Sequence, residues 1–174
     1  MAIVVRSNPQ SVFAQVRLNR VSNELGKTDK AIELYRESIS LSPNNSVAHF
    51  NLSNLLKQEN NLEACIFHLN QAIKFDPKYA NAYANLGALL IESSRLEEAE
   101  IQLRKAIKID SKHLNALSNL GIVLYKLNRI KDSESILRKA IEINPNFAIA
   151  YSNLGITLLK KGEPKQAEFS FRSA

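Results

Sequence analysis

The sequence predicts an all-α solenoid, a stack of antiparallel helix pairs repeated along the chain. Three observations predict it. One phrase returns every 34 residues: Ala82-Tyr83-Ala84-Asn85-Leu86-Gly87, Ala116-Leu117-Ser118-Asn119-Leu120-Gly121 and Ala150-Tyr151-Ser152-Asn153-Leu154-Gly155, with a looser copy at Ala48-His49-Phe50-Asn51-Leu52-Ser53. Prolines keep the same interval at Pro9, Pro43, Pro77 and Pro145, and Ser111 stands where another would fall. Between these marks apolar residues recur at spacings of three and four, and nowhere with a useful period of two. A fixed period of this length is the signature of a stacked repeat.

Composition agrees. By size alone 174 residues would suggest one ordinary domain, but a solenoid grows by adding units rather than enlarging one core. A single cysteine, Cys65, excludes a disulfide framework and a paired-thiol metal motif. The apolar start, Met1 to Val5, is too short for a signal-peptide core, and no run approaches the ~18 residues of a spanning helix. A soluble, cytoplasmic protein with no membrane partner is the expectation. The formal net charge of +6 is uneven: residues 1–100 hold 10 Lys and Arg against 11 Asp and Glu, and residues 101–174 hold 13 against 6.

Placing the proline at position 32 sets the frames at 12–45, 46–79, 80–113, 114–147 and 148–174, the last incomplete. Residues 1–11 read as the tail of a preceding repeat or an N-terminal extension, because Asn8-Pro9 fall at positions 31 and 32. Each frame holds two amphipathic segments of about 14 residues. In the first, the leading segment carries Gln15, Leu18 and Asn19, and the second runs through Ala31 and Tyr35 to Pro43. In the third, Tyr83, Leu86 and Leu90 mark one helix, and Leu96, Ala99, Leu103, Ala106 and Ile107 the other. The breaks inside the pairs fall at position 15: Gly26, Asn60, Ser94, Asn128 and Gly162. Gly and Asn tolerate the left-handed backbone that ends a helix. The prolines stop the second helices, since the residue before a proline disfavours helical angles.

Position 8 is Gly87, Gly121 and Gly155, with Ser53 in the second frame. A glycine within a helix costs roughly 1 kcal/mol against alanine, so its recurrence needs a packing reason. Small residues also recur at position 20 (Ala31, Cys65, Ala99, Ser133, Ala167) and at position 27 (Ser38, Ala72, Ala106, Ala140, Ala174). Together they predict a close approach of the two helices of each pair, with larger side chains interdigitating around the crossing.

On these residues the chain resembles the tetratricopeptide repeat family, whose unit is a 34-residue helix–turn–helix. The resemblance runs from about residue 12 to the last residue. The third frame fits most fully, with Tyr83, Leu86, Gly87, Leu90, Ala99, Leu103 and Ala106 at the family's signature positions. It implies a right-handed superhelix with the first helices lining a concave face, into which positions 2, 5, 6, 9, 12 and 13 point.

The resemblance therefore sets Asn51, Asn85, Asn119 and Asn153, all at position 6, in a row along a groove. A carboxamide offers a donor and an acceptor, so such a row suits the backbone of an extended peptide. Similar asparagine rows line the helical repeats that precede protein O-glycosyltransferases. The alternative role of each Asn is to bond a neighbouring helix and order the stack. Beside the row, Val16, Phe50, Ala84, Ala88, Ile91, Ile122, Tyr125, Ile156 and Leu159 fall at groove positions. Arg17, Arg20, Lys57, Lys126 and Lys160 supply rim charge, and Asn54 lies at position 9. The family's chaperone-binding members clamp a terminal carboxylate with lysines at position 5; here that position is Val16, Phe50, Ala84, Ser118 and Ser152, so that mode is not expected.

The basic excess lies mostly on second helices, where Arg104, Arg138 and Arg172 each follow Glu100, Glu134 and Glu168 by four residues. That order reads as a solvated outer face. Cations without interleaved aromatics do not make a nucleic-acid surface. His49, His68 and His113 sit at unrelated repeat positions, Cys65 and His68 have no second pair at zinc spacing, and no Gly-rich loop precedes a helix. No catalytic residue, metal or cofactor is expected. The expected function is protein or peptide binding in the groove, through Asn51, Asn85, Asn119, Asn153, Phe50, Asn54, Ile91, Ile122, Tyr125 and Lys126. One alternative is the substrate-recruiting region of a larger protein-modifying enzyme such as a glycosyltransferase. Another is a structural array that self-associates as a homo-oligomer through its uncapped C-terminal repeat, with Phe169 and Phe171 at the contact.

Overall fold

The computed structural model describes residues 28–174, and among them it is all α-helix and turn. The expectations for residues 1–11 and for the leading helix of frame 12–45, including Val16, Arg17, Arg20 and Gly26, lie outside the described residues. The chain divides into two compact units at Lys78 and Tyr79.

The first unit contains α1 (Thr28–Leu41), α2 (Ser46–Gln58) and α3 (Leu62–Phe75). Ala31, Ile32 and Tyr35 of α1, Ala48, Leu52, Leu55 and Leu56 of α2, and Cys65, Leu69 and Ala72 of α3 are buried. Asn45 and Asn61 cap α2 and α3, their side chains accepting from the amides of Ala48 and Ala64. The buried thiol of Cys65 donates to the carbonyl of Ser53, 3.3 Å away. The cysteine is thus part of the α2–α3 crossing.

The second unit contains α4 (Ala80–Glu92), α5 (Leu96–Ile109), α6 (Leu114–Lys126), α7 (Ile130–Ile143), α8 (Ala148–Lys161) and α9 (Pro164–Arg172). Its core runs from Leu117, Ala140 and Ala150 to Leu137, Leu154, Leu158 and Ala167. The family of small residues falls at the crossings, where Ala99, Ala106, Ser133, Ala140 and Ala167 are buried; Ala174 is exposed.

The position-15 residues adopt the left-handed backbone expected of them. Asn60, Ser94 and Asn128 have φ of 57°, 58° and 62°, and Gly162 has 88°. Each closes a Schellman turn. In the second unit Arg95, Arg129 and Glu163 donate to the carbonyls of Leu90, Leu124 and Leu158, six residues making the loop. Between pairs the turn is an Asx turn: the side chains of Asp76, Asp110 and Asn144 accept from the amides of Lys78, Lys112 and Asn146, each at 3.0 Å. This explains why Ser111 replaces proline without loss of the turn. The acidic residue before it makes the closing bond, and proline only restricts the backbone.

The position-8 glycines are explained by the leucines they face. A Cβ on Gly87 would stand 2.6 Å from Leu103, and one on Gly121 would stand 2.6 Å from Leu137. At Gly155 the same place is taken by the ring of Phe171, 2.5 Å from such a Cβ. The second helix lays a large side chain across the bare backbone of the first, closer than any side chain would permit.

Candidate functional site

The candidate site lies on the first helices. Their residues at positions 5, 6, 9, 12 and 13 sit on one side of each helix, because three- and four-residue steps return to the same face. In the first unit, α2 presents Phe50 and Asn51 half-buried and Asn54 exposed. In the second, α4 presents Asn85 and Ile91 half-buried, and α6 presents Asn119, Ile122 and Tyr125 half-buried with Lys126 exposed. Ala84 is only 2% exposed. It is packed away and does not line a groove, contrary to the sequence expectation.

Four of the expected residues converge. Ile122, Tyr125 and Lys126 of α6 and Asn153 of α8 line a hollow of ≈ 220 Å³, together with Gly121, Ile156 and Thr157. Its walls are the two isoleucines and the tyrosine ring. The Lys160 ammonium lies over the Tyr125 ring, 4.7 Å from its centre, a cation–π contact that steadies both. Asn85, Asn119 and Ile91 lie outside this lining, and Phe50, Asn51 and Asn54 belong to the first unit.

Beneath the hollow runs a chain of polar contacts that sequence reasoning missed. The Asn153 side chain donates its amide N–H to Ser118 Oγ at 2.9 Å. Ser133 Oγ donates to the carbonyl of Gly121 at 2.8 Å and lies 3.1 Å from Thr157 Oγ1, which reaches the carbonyl of Asn153 at 2.9 Å. Two hydroxyl protons are thus divided among three contacts, two of which are hydrogen bonds at any moment. All three hydroxyl-bearing residues are buried, so the chain fixes the register of α6, α7 and α8.

The asparagines are therefore not equivalent. Asn153 finds Ser118 because the residue 35 positions earlier carries a hydroxyl. For Asn119 the residue 35 positions earlier is Ala84, which has none. The Asn119 carboxamide is half-buried and makes no hydrogen bond among the described residues. The visible signal for this difference is the Ala84-to-Ser118 change at position 5, which matters only once the neighbouring helix is known.

On the outer face of the second unit the arginines are paired. Glu100 accepts from both Arg104 and Arg129, and Glu134 from Arg138 and Lys161. The hydrogen bond from Lys161, with help from Arg138, holds the Glu134 carboxyl below the usual carboxylate range. In the first unit His49 and His68 meet through their Nδ1 atoms at 2.9 Å. Burial lowers the pKa of both, that of His68 to about 4. Among the described residues no group of three or more His, Cys, Asp or Glu is placed to hold a metal ion. Among them, too, no helix is long and apolar enough to cross a membrane.

Family models described as tetratricopeptide repeat match residues 23–90, 80–113, 113–144 and 136–169. The chain belongs to the tetratricopeptide repeat family. A comparison with curated proteins finds no match. Among solved structures the chain is similar to MamA, at 24% identity and a TM-score of 0.80 over 89% of this chain and 91% of that one. It is similar to pilF of Pseudomonas aeruginosa, at 21% identity and a TM-score of 0.85, covering 94% and 75%. It is also similar to YrrB, described as a TPR protein with an unusual peptide-binding site, at 15% identity and a TM-score of 0.77, covering 97% and 87%. At these identities the likeness is one of fold.

Proposed function

We propose that this tetratricopeptide repeat chain is a protein-interaction module that takes an extended peptide along its first-helix face. The observation that carries the proposal is the convergence of Ile122, Tyr125, Lys126 and Asn153 on one hollow. Small apolar recesses with a few oriented polar groups are where side chains anchor. The peptide-binding description of the similar YrrB supports the same reading. In this reading Asn119 offers its whole carboxamide to a peptide backbone. Asn153 offers its acceptor oxygen and one remaining N–H, because the other N–H is committed to Ser118. Asn85 and Ile91 continue the face on α4, and Phe50, Asn51 and Asn54 serve likewise within the first unit. The proposal assigns no catalytic step, cofactor, metal or nucleic acid.

The test is selection of binders from a displayed library of random nonapeptides, followed by mapping of a selected peptide through amide chemical shifts. The largest shifts are expected on α6 and α8. Asn119→Ala and Ile122→Asp should each weaken that peptide by about tenfold or more, roughly 1.4 kcal/mol, with helical circular dichroism unchanged. Binders that map to the outer helices, or that ignore both substitutions, would refute the reading.

A further inference from the structure

Resting on that reading, we infer that the hollow between α6 and α8 takes an apolar side chain from an acidic segment. The anchor is internal to the segment and needs no terminal carboxylate. Two independent features carry this. The first is the lining, Ile122, Ile156 and the Tyr125 ring, which suits one aliphatic or aromatic side chain and leaves an acyl chain largely in water. The second is charge. The sequences of α6 and α8 contain Lys126, Lys160 and Lys161 and no acidic residue at all.

Among the described residues, only Lys161 of these lysines has a carboxylate partner, and it has two, Glu134 and Glu163. Lys126 is exposed and makes no ion pair among the described residues. Lys160 rests on the Tyr125 ring, with no carboxylate paired to it among the described residues. Within the second unit this differs from the arginines of the outer helices and their turns. Arg95, Arg104, Arg129, Arg138 and Arg172 each meet a Glu or Asp. Two uncompensated cations at the lip of an apolar recess give a positive potential that the low-dielectric wall strengthens. A segment pairing an apolar anchor with Asp or Glu one or two residues away satisfies both features. A nucleic acid does not, because the Tyr125 face it would stack on is occupied by Lys160.

The selected nonapeptides test this directly. Enriched sequences should place Leu, Ile, Phe or Trp within two residues of Asp or Glu. Because the chain has no Trp, a Trp-anchored member reports its own burial by a blue shift of its emission. Lys126→Glu combined with Lys160→Glu should weaken an acidic peptide by more than tenfold and improve its Lys-substituted counterpart. Peptides that map to α6 and α8 without acidic preference, or that bind the double variant unchanged, would overturn this inference and leave the peptide-binding reading standing. Peptides that map elsewhere would overturn both.

Discussion

His68 is the residue whose chemistry most separates this chain from a plain packing scheme. It lies on α3 against His49 of α2, with Nδ1 atoms 2.9 Å apart. His49 Nε2 reaches the carbonyl of Pro43 at 3.1 Å, and a carbonyl only accepts. His49 is therefore protonated on Nε2, its Nδ1 accepts, and His68 Nδ1–H is the donor. Phe75 stacks on His49 and Phe67 stands edge-on to His68. Both rings are neutral in this arrangement. Burial, then His49, then Arg36 push His68 down to about 4. A histidine that is harder to protonate folded than unfolded stabilises the fold above its ordinary pKa of 6.5, and that stability is lost as pH falls toward the folded value. Between about pH 6.5 and 4 the first unit should lose ~1–2 kcal/mol after allowance for partial solvent access. The check is thermal unfolding of the chain and of His68→Gln across that window. The variant should show a smaller step than the parent, the remainder coming from buried His49, while the carboxylate transitions remain in both. An equal step in both would show that His68 does not carry it.

At the scale of the helix pair, the glycines set the crossing and their partners set the cost of changing them. Leu137 is 0% exposed and lies 2.6 Å from a Cβ placed on Gly121. It is enclosed by the core of α7, α8 and α9 and has nowhere to move. Gly121→Ala would gain roughly 1 kcal/mol of helix propensity, but overpacking a closed site costs about 1–3 kcal/mol. A net loss of about 1 kcal/mol is expected. Gly155 faces Phe171, which is 43% exposed and can rotate toward solvent. There the propensity gain should offset the crowding, so Gly155→Ala should leave stability unchanged or raised. Thermal midpoints of the two variants check the argument. Equal losses at both sites would mean that close backbone approach, not the mobility of the facing side chain, sets the cost. Charging Phe171 is for the same reason a poor probe of self-association, since it would disturb the α8–α9 crossing. Phe169, 69% exposed, is a cleaner one, although Phe67 and Ile101 are exposed at the same repeat position.

Over the whole molecule, what the sequence shows is whatever repeats. Left-handed residues at Asn60, Ser94, Asn128 and Gly162 could be read because each is set by its own turn. The burial of Ala84, the Asn153–Ser118 bond and the His49–His68 pair could not. Each depends on which residue a neighbouring helix presents, and that residue changes from repeat to repeat while the backbone does not. The same dependence on neighbours governs stability, because a repeat contacts only the repeats beside it. In the second unit α6 buries seven residues from Ala116 to Leu124, and its carbonyls and side chains join the Ser133–Thr157–Asn153 chain. Helix α9 has nine residues and buries only Ala167 and Ser170, with Phe169 and Phe171 left exposed. Local opening should therefore be far easier in α9 than in α6. Native-state hydrogen exchange is expected to show α9 amides exchanging roughly a hundredfold faster than those of α6, with α8 between them. Uniform protection across α4–α9 would show instead that the second unit opens as one cooperative block and that its neighbour contacts, taken singly, do not set its stability.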